Sequence, residues 1–354
     1  MLFWPCAVAA LAAPLKPARV VVTGGTHGNE YAGIYVVERL ELRKRELESE
    51  HPSLLIDSLL ANPQAHRDNK RFIDADLNRQ FSASLLSDET LTGLEPTLAK
   101  AIAADMGPKG PEASAAVCID MHTTTSNMGC TLIAQAYSPL SVRACAYVYE
   151  HWDAECAAEC DLDAEYARAG LDEAVTEARQ RPIHPLRVLL ETGEQETAAH
   201  LSSVARDGIE IEVGPTPQGL LRADVIASTE RALRLLLRYL ELHFSSRAPQ
   251  PPPTLPVYID RGKVPFVNGR DPTSRLPAAM VARTLQDRDF EPIRKGDALY
   301  EHLDGSIEPY DGSFGEVVYP VFINEAAYYY HESGRGIVMS ERVDWPIPPP
   351  DEES

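Results

Sequence analysis

The segment ARVVVT, Ala18 to Thr23, constrains the fold more than any other stretch of the chain. It is a β-branched run that stops at Gly24-Gly25, which predicts a buried strand followed by a turn. Over 29–48 the apolar residues Tyr31, Ile34, Val37 and Leu40 then recur at helical spacing, giving strand, loop, helix. Further strands are predicted at 53–60, ending at Asn62-Pro63, at 115–119, stopping at Asp120, and at 209–213, ending at Gly214-Pro215. Helical patterns fall at 93–106 and 224–244. Strands alternating with helices predict an α/β domain with a largely parallel sheet. Functional residues in such folds gather beyond the carboxyl ends of the strands.

The rest of the chain divides by texture. Residues 152–181 are Ala-rich and acidic, with Gly170 as their one helix breaker, and read as a helical surface insertion. The proline-rich connector APQPPPTLP, 248–256, cannot continue a helix or a central strand. Beyond it, β-like runs at 257–267, 278–284 and 317–323, separated by Gly, Asp and Pro turns, predict a small β-rich domain. The expected division is an N-terminal extension over 1–17, a main domain over 18–247, a β-rich domain over 257–340 and a tail over 341–354. The extension includes the apolar run LFWPCAVAALAA without a preceding basic region, and reads either as a targeting segment or as a loosely attached terminus.

Composition excludes several classes. With 44% hydrophobic and 24% charged residues in 354, the chain is neither largely disordered, nor a fibrous repeat, nor a polytopic membrane protein. Lys plus Arg total 33 against 53 Asp plus Glu, a formal charge of −20 that repels phosphate backbones, so nucleic acid is not an expected partner. The six cysteines form no paired C-x-x-C sets and suit reduced thiols in a cytoplasmic enzyme.

The chemistry concentrates in four segments. In Gly24-Gly25-Thr26-His27-Gly28-Asn29-Glu30, His27 and Glu30 lie three apart where loop becomes helix, so both side chains can converge on one point. Imidazole plus carboxylate is good zinc ligation, but a catalytic zinc needs a third protein ligand, and an H-x-x-E pair alone is most often a helix-surface pair. Asp120-Met121-His122 supplies the partner: His122 as a ligand, and Asp120 as an acceptor that orients a metal-bound histidine from a strand end. A satisfied loop histidine and a cap are the plainer alternatives. The segment 70–79, with Arg71, Asn78 and Arg79 amid aspartates, is either an anion clamp or a surface salt-bridge loop. In Ile209-Glu210-Ile211-Glu212-Val213, alternation puts Glu210 and Glu212 on one face, with Glu212 at the strand end as a proton acceptor or an ion-paired structural residue.

Together GGTHGNE (24–30), RFIDADLNR (71–79), DMHTTTSNMGCT (120–131), IEVGPTPQGLLRAD (211–224) and YPVFINEAAYY (319–329) resemble the aspartoacylase and aminoacylase-3 branch of the zinc carboxypeptidase-like deacylases, in order over 18–330. The resemblance implies an α/β zinc-hydrolase domain with a central mixed, largely parallel sheet flanked by helices, followed by a β-rich domain that narrows the active-site channel. It implies one Zn²⁺ per subunit held by His27, Glu30 and His122, Glu212 as general base and Arg71 polarising the scissile carbonyl. Asn78, Arg79 and Tyr328 would hold the substrate carboxylate. The implied partner is a small N-acyl amino acid, with homo-oligomerisation left open. Where the aspartoacylase pattern has a Tyr and an Arg before the IEVGP block, ungapped counting gives Ala198 and Ser202, neither a charged fork. That departure points to an aminoacylase-3-like amidohydrolase for aromatic or neutral N-acyl-L-amino acids. The alternatives are an aspartoacylase in which another basic residue, His200 or Arg206, replaces the arginine, and a non-catalytic relative that binds acyl amino acids or a protein.

Overall fold

The computed structural model describes residues 16–157, 184–265, 277–329 and 336–349. Its strands are β1 Ala18–Gly24, β2 Leu54–Leu60, β3 Val117–Thr123, β4 Gly129–Gln135, β5 Leu186–Glu191, β6 Asp207–Gly214, β7 Thr254–Pro265, β8 Ala279–Val281, β9 Ile293–Arg294, β10 Ala298–His302, β11 Ile307–Pro309, β12 Val317–Val321 and β13 Gly336–Pro346. The helices are α1 Tyr31–Leu42, α2 Lys44–Glu50, α3 Pro63–Arg67, α4 Ala83–Ser87, α5 Leu94–Met106, α6 Pro139–Ala157 and α7 Ala223–Phe244, with short 3-10 turns at Leu77–Arg79, Leu201–Val204 and Ala326–Tyr329.

Ten strands form one sheet in the order β2-β1-β3-β6-β4-β5-β7-β13-β12-β9, and β11-β10-β8 form a second. From β2 to β7 every pair is parallel except β4 with β6, so the central sheet is mixed and largely parallel, as expected. Alternation along the strands sorts the two faces. Val20 and Val22 of β1, Ile119 and Met121 of β3 and Ile209, Ile211 and Val213 of β6 pack under α1, α6 and α7 in the main core. Val21 and Cys118 turn to the other face, where α5 and the turns at Leu77–Arg79 and Leu201–Val204 cover them. Asp120 and His122 of β3 and Glu210 and Glu212 of β6 lie on this second face.

Three sequence expectations change. The strand predicted at 115–119 continues to Thr123. Period-two alternation on that continuing strand puts Asp120 and His122 on the same face, so no strand end is needed to bring them together. The tail expected from 341 instead starts as strand: β13 runs to Pro346 and pairs with β7, with Trp345 opposite Leu255 and Pro346 opposite Thr254. Trp345 and Val343 pack on the main core and Ile347 is buried, so apolar burial outweighs the proline punctuation. The connector likewise gives way to β7 at Thr254, where Pro256 faces Asp344 of β13 and β5 pairs with β7 only at Tyr258 and Ile259. Strands β4 and β5 were not anticipated. The predicted insertion lies outside the described residues beyond 157, as do residues 1–15 of the extension.

The β-rich part has its own core of Val281, Leu299, Tyr300, Tyr310, Val318, Ile337 and neighbours. It meets the main domain through Met128, Phe290, Val321 and Val338. None of the described helices is long and apolar enough to cross a membrane.

Candidate metal centre and active site

His27 sits in the loop after β1, and two glycines of that loop have separate tasks. Gly25 takes φ +70°, which an L side chain rarely adopts. At Gly28 a Cβ would lie 2.2 Å from the backbone of Ala65 and His66, so the loop packs directly on α3. The Gly28 N–H donates to the Arg71 carbonyl at 3.1 Å, tying this loop to the segment that carries Arg71 and Asp76. Glu30 immediately precedes α1, and His122 projects from β3.

These three side chains converge. His27 Nδ1 lies 2.7 Å from Glu30 Oε1 and His122 Nδ1 lies 3.0 Å from Glu30 Oε2, with each residue no more than 3% exposed. One ligand atom from each falls within 4.8 Å of the other two. The outer ring nitrogens are both held by carboxylates: His27 Nε2 lies 3.0 Å from Asp76 Oδ1 and His122 Nε2 lies 2.8 Å from Asp120 Oδ2. Asp120 is fixed in turn by the hydroxyls of Thr23 and Thr26, which donate to Oδ1 at 2.6 and 2.9 Å. Carboxylate–histidine pairs of this kind select the tautomer that presents the other nitrogen to a metal. His27 Nδ1 is buried and makes no hydrogen bond despite its closeness to Glu30. Two imidazole nitrogens, one of them without a hydrogen bond, and a carboxylate suit a divalent metal such as zinc with a coordination position left open.

Electrostatics follows the same geometry. Burial alone would raise Glu30, but His27 and His122 outweigh it and hold its carboxyl well below the usual range. Burial and the carboxylates of Glu30, Glu325 and Glu210 push Glu212 well above its ordinary value, against the pull of His122.

Every residue assigned by resemblance to the metal, the chemistry or the substrate borders one cavity of about 300 Å³: His27, Glu30, Arg71, Asn78, Arg79, His122, Glu212 and Tyr328. Asp120 stands behind His122. Glu212 is the register partner of His122 across β3 and β6, which places it beside the triad. Arg71 donates from Nη1 to Glu30 Oε1 at 3.0 Å and lies 3.4 Å from Asp76 Oδ2. Asn78 Oδ1 accepts from the Leu201 N–H at 2.8 Å, and Arg79 Nη1 donates to the Asn78 carbonyl at 2.6 Å. Tyr328 comes from the β-rich part, in the turn Ala326–Tyr329.

Several contributors were not singled out from the sequence. Asp76 and Asp74 look alike in RFIDADLNR, and only the fold shows that Asp76 reaches His27. Glu95 at the start of α5 accepts the N–H groups of Ile73, Asp74 and Ala75 at 2.7, 2.9 and 3.0 Å, and so shapes the loop that bears Arg71 and Asp76. Glu325 joins the two parts of the chain: it accepts from the hydroxyl of Thr124 and from the N–H groups of Thr125 and Ala327. No local pattern marks Glu95; Glu325 lies within YPVFINEAAYY, where the sequence alone gives it no role.

Comparison with known proteins places these features in one lineage. Residues 16–240 match the succinylglutamate desuccinylase/aspartoacylase catalytic domain, and residues 269–335 match the AstE/AspA barrel-sandwich hybrid domain. The chain is 32% identical over 342 residues to the human N-acyl-aromatic-L-amino acid amidohydrolase (carboxylate-forming), covering 96% of this chain and 95% of that one. It is 34% identical over 314 residues to the aspartoacylase of Danio rerio, covering 88% of each. Murine aminoacylase 3 superposes with a TM-score of 0.75 at 32% identity, over 95% of this chain and 99% of that one.

Proposed function

The chain belongs to the succinylglutamate desuccinylase/aspartoacylase family, and from that premise we propose that it is a zinc-dependent N-acyl-L-amino-acid amidohydrolase. The observation that carries this reading is the buried His27–Glu30–His122 triad, backed by Asp76 and Asp120 and bordering the same cavity as Glu212.

His27, Glu30 and His122 would hold the zinc, which when bound supplies Lewis acidity toward the acyl carbonyl and the attacking water. Asn78, Arg79 and Tyr328 fix the substrate through its α-carboxylate. Glu212 accepts the proton of the water as its oxygen bonds to the acyl carbon. The Arg71 guanidinium donates to the oxyanion that develops on the carbonyl oxygen, and preorganised donors of this kind contribute several kcal/mol. Glu212 then delivers its proton to the amine nitrogen as the C–N bond breaks, leaving a carboxylate and a free amino acid. Asp76 and Asp120 position the two histidines and touch no substrate.

The substrate's side chain is not acidic in this reading. At the position where the aspartoacylase pattern has an arginine, Ser202 is buried and its hydroxyl donates to Glu210 Oε1 at 3.1 Å. The absence of that arginine disfavours N-acetyl-aspartate without choosing among the remaining side chains. Buried free thiols at Cys118 and Cys145 suit the cytoplasm. Incubating the zinc-loaded protein with N-acetyl-L-methionine, N-acetyl-L-phenylalanine and N-acetyl-L-aspartate tests the reading. Acetate and free amino acid should appear from the first two faster than from the third; no release from any N-acyl amino acid would refute it.

A further inference from the structure

The cavity extends past Glu212 to a second group of charges that the deacylation chemistry does not use. On the site face of β6, Glu210 precedes Glu212 by two residues. Ile133 of β4 and Leu189 of β5 lie level with Glu210 across the sheet, and Glu191 lies two residues beyond Leu189, opposite Gln135. His200, just before the turn Leu201–Val204, sits between the two acids. Its Nε2 is 3.1 Å from Glu191 Oε2 and its Nδ1 is 3.1 Å from Glu210 Oε1. Gln135 donates to the same Oε2 of Glu191 at 2.6 Å, and Ser202 donates to the same Oε1 of Glu210 at 3.1 Å. Among the described residues, Glu191 Oε1 and Glu210 Oε2 therefore accept no hydrogen bond, although Glu210 is only 5% exposed.

One imidazolium between two carboxylates leaves a negative charge in excess. Burial alone would lower His200, but Glu191 and Glu210 push it up to about 10, so it is protonated at neutral pH and still outnumbered. Asp260 and Lys263 of β7 border the same cavity with opposite signs. Arg79, whose charge also reaches Glu210, is assigned to the substrate's α-carboxylate. His200 Nδ1 makes no hydrogen bond, but both ring nitrogens lie 3.1 Å from carboxylate oxygens, so an acidic side chain entering there meets two carboxylates and His200 does not replace the arginine absent at Ser202.

We infer that Glu191, His200 and Glu210 form a side-chain subsite for N-acyl amino acids whose side chain ends in an amine or a guanidinium. Ile133 and Leu189 provide an apolar track for the methylene stem, and the unused oxygens of Glu191 and Glu210 receive the cationic head. The inference rests on the amidohydrolase reading and names the substrate class within it.

Nα-acetyl-L-arginine and Nα-acetyl-L-citrulline form the discriminating pair, since a neutral ureido group replaces the guanidinium at nearly constant shape. The zinc-loaded enzyme should favour arginine in kcat/KM by about tenfold or more, chiefly through KM, as expected for a desolvated charge-assisted pair. Calorimetric titration with the products L-arginine and L-citrulline should give the same order without turnover. Glu191→Gln, or Glu210→Gln if the first variant does not fold, should bring the ratio near one. A wild-type ratio at or below one, with citrulline hydrolysed, overturns the subsite; so does a folded Glu191→Gln enzyme that keeps the full ratio. Arginine binding preferred over citrulline with no N-acyl amino acid hydrolysed would uphold the subsite and refute the amidohydrolase reading instead.

Discussion

Asp76 Oδ1 lies 3.0 Å from Nε2 of His27, and the same ring turns its Nδ1 to within 2.7 Å of Glu30. His122 repeats the arrangement with Asp120 and Glu30. Glu30 is thus flanked by two histidines, each braced from behind by a carboxylate: His27 by Asp76, 49 residues along the chain, and His122 by Asp120 on its own strand.

Replacing Asp76 tests that brace. Asp76→Asn should keep the fold and lower zinc affinity by about 10–100-fold, the usual effect of removing such a partner. Competition against a chromophoric chelator reads the affinity directly. An unchanged dissociation constant would mean that His27 does not depend on Asp76 for its orientation.

The loop that carries Asp76 depends on Glu95. Burial alone would raise this carboxyl, but the N–H groups of Ile73, Ala75 and Asp74 and the amide of Asn62 hold it below its ordinary value. A depressed folded-state pKa contributes stability above the unfolded value, about 4.3, and that contribution is lost as pH falls through the folded value. Glu95→Gln should therefore destabilise the protein at pH 7 by about 1.5–3 kcal/mol, the range for hydrogen bonds to a charged group. The gap between variant and wild type should narrow below about pH 4. Denaturant titrations at pH 7 and in mild acid would show this, and a gap that widens in acid would contradict it.

How much was legible in the sequence depended on whether the signal was local. His27 and Glu30 are three residues apart, and Asp120 and His122 two apart, so short-range patterns reached them. The strand ending was misplaced at Asp120 because polar residues there read as a loop, whereas β3 carries them inward on its site face to Thr123. Strands β4 and β5 escaped because buried strands lack alternation; all seven residues of β4 are buried. Tyr328 entered through resemblance alone. Asp76, Glu95 and Glu191 meet the site only through pairings that no local spacing encodes.

Restoring an arginine should not by itself create an aspartoacylase. Ser202 donates to Glu210, so the guanidinium of Ser202→Arg would pair with that carboxylate before meeting a substrate. N-acetyl-aspartate should remain a poor substrate of the single variant and improve only when Glu210→Gln is added. Steady-state kinetics of both variants decide this, and a single variant that gains as much as the double would show that Glu210 does not compete.

Glu212→Gln preserves shape but cannot take the proton of the attacking water. It should retain zinc and lose about 10²–10⁴-fold in kcat, the span of general acid–base contributions. Activity within about threefold of wild type would place the base elsewhere.

The most direct test of the account is zinc content measured alongside hydrolysis of an N-acetyl amino acid, in wild type and in His122→Ala. Wild type should carry about one zinc per chain, lose activity to a chelator and recover it on adding zinc, while folded His122→Ala, with two protein ligands where a catalytic site needs three, should hold little metal and stay inactive. Near-stoichiometric zinc in His122→Ala, or full hydrolysis by metal-free wild type, would contradict it.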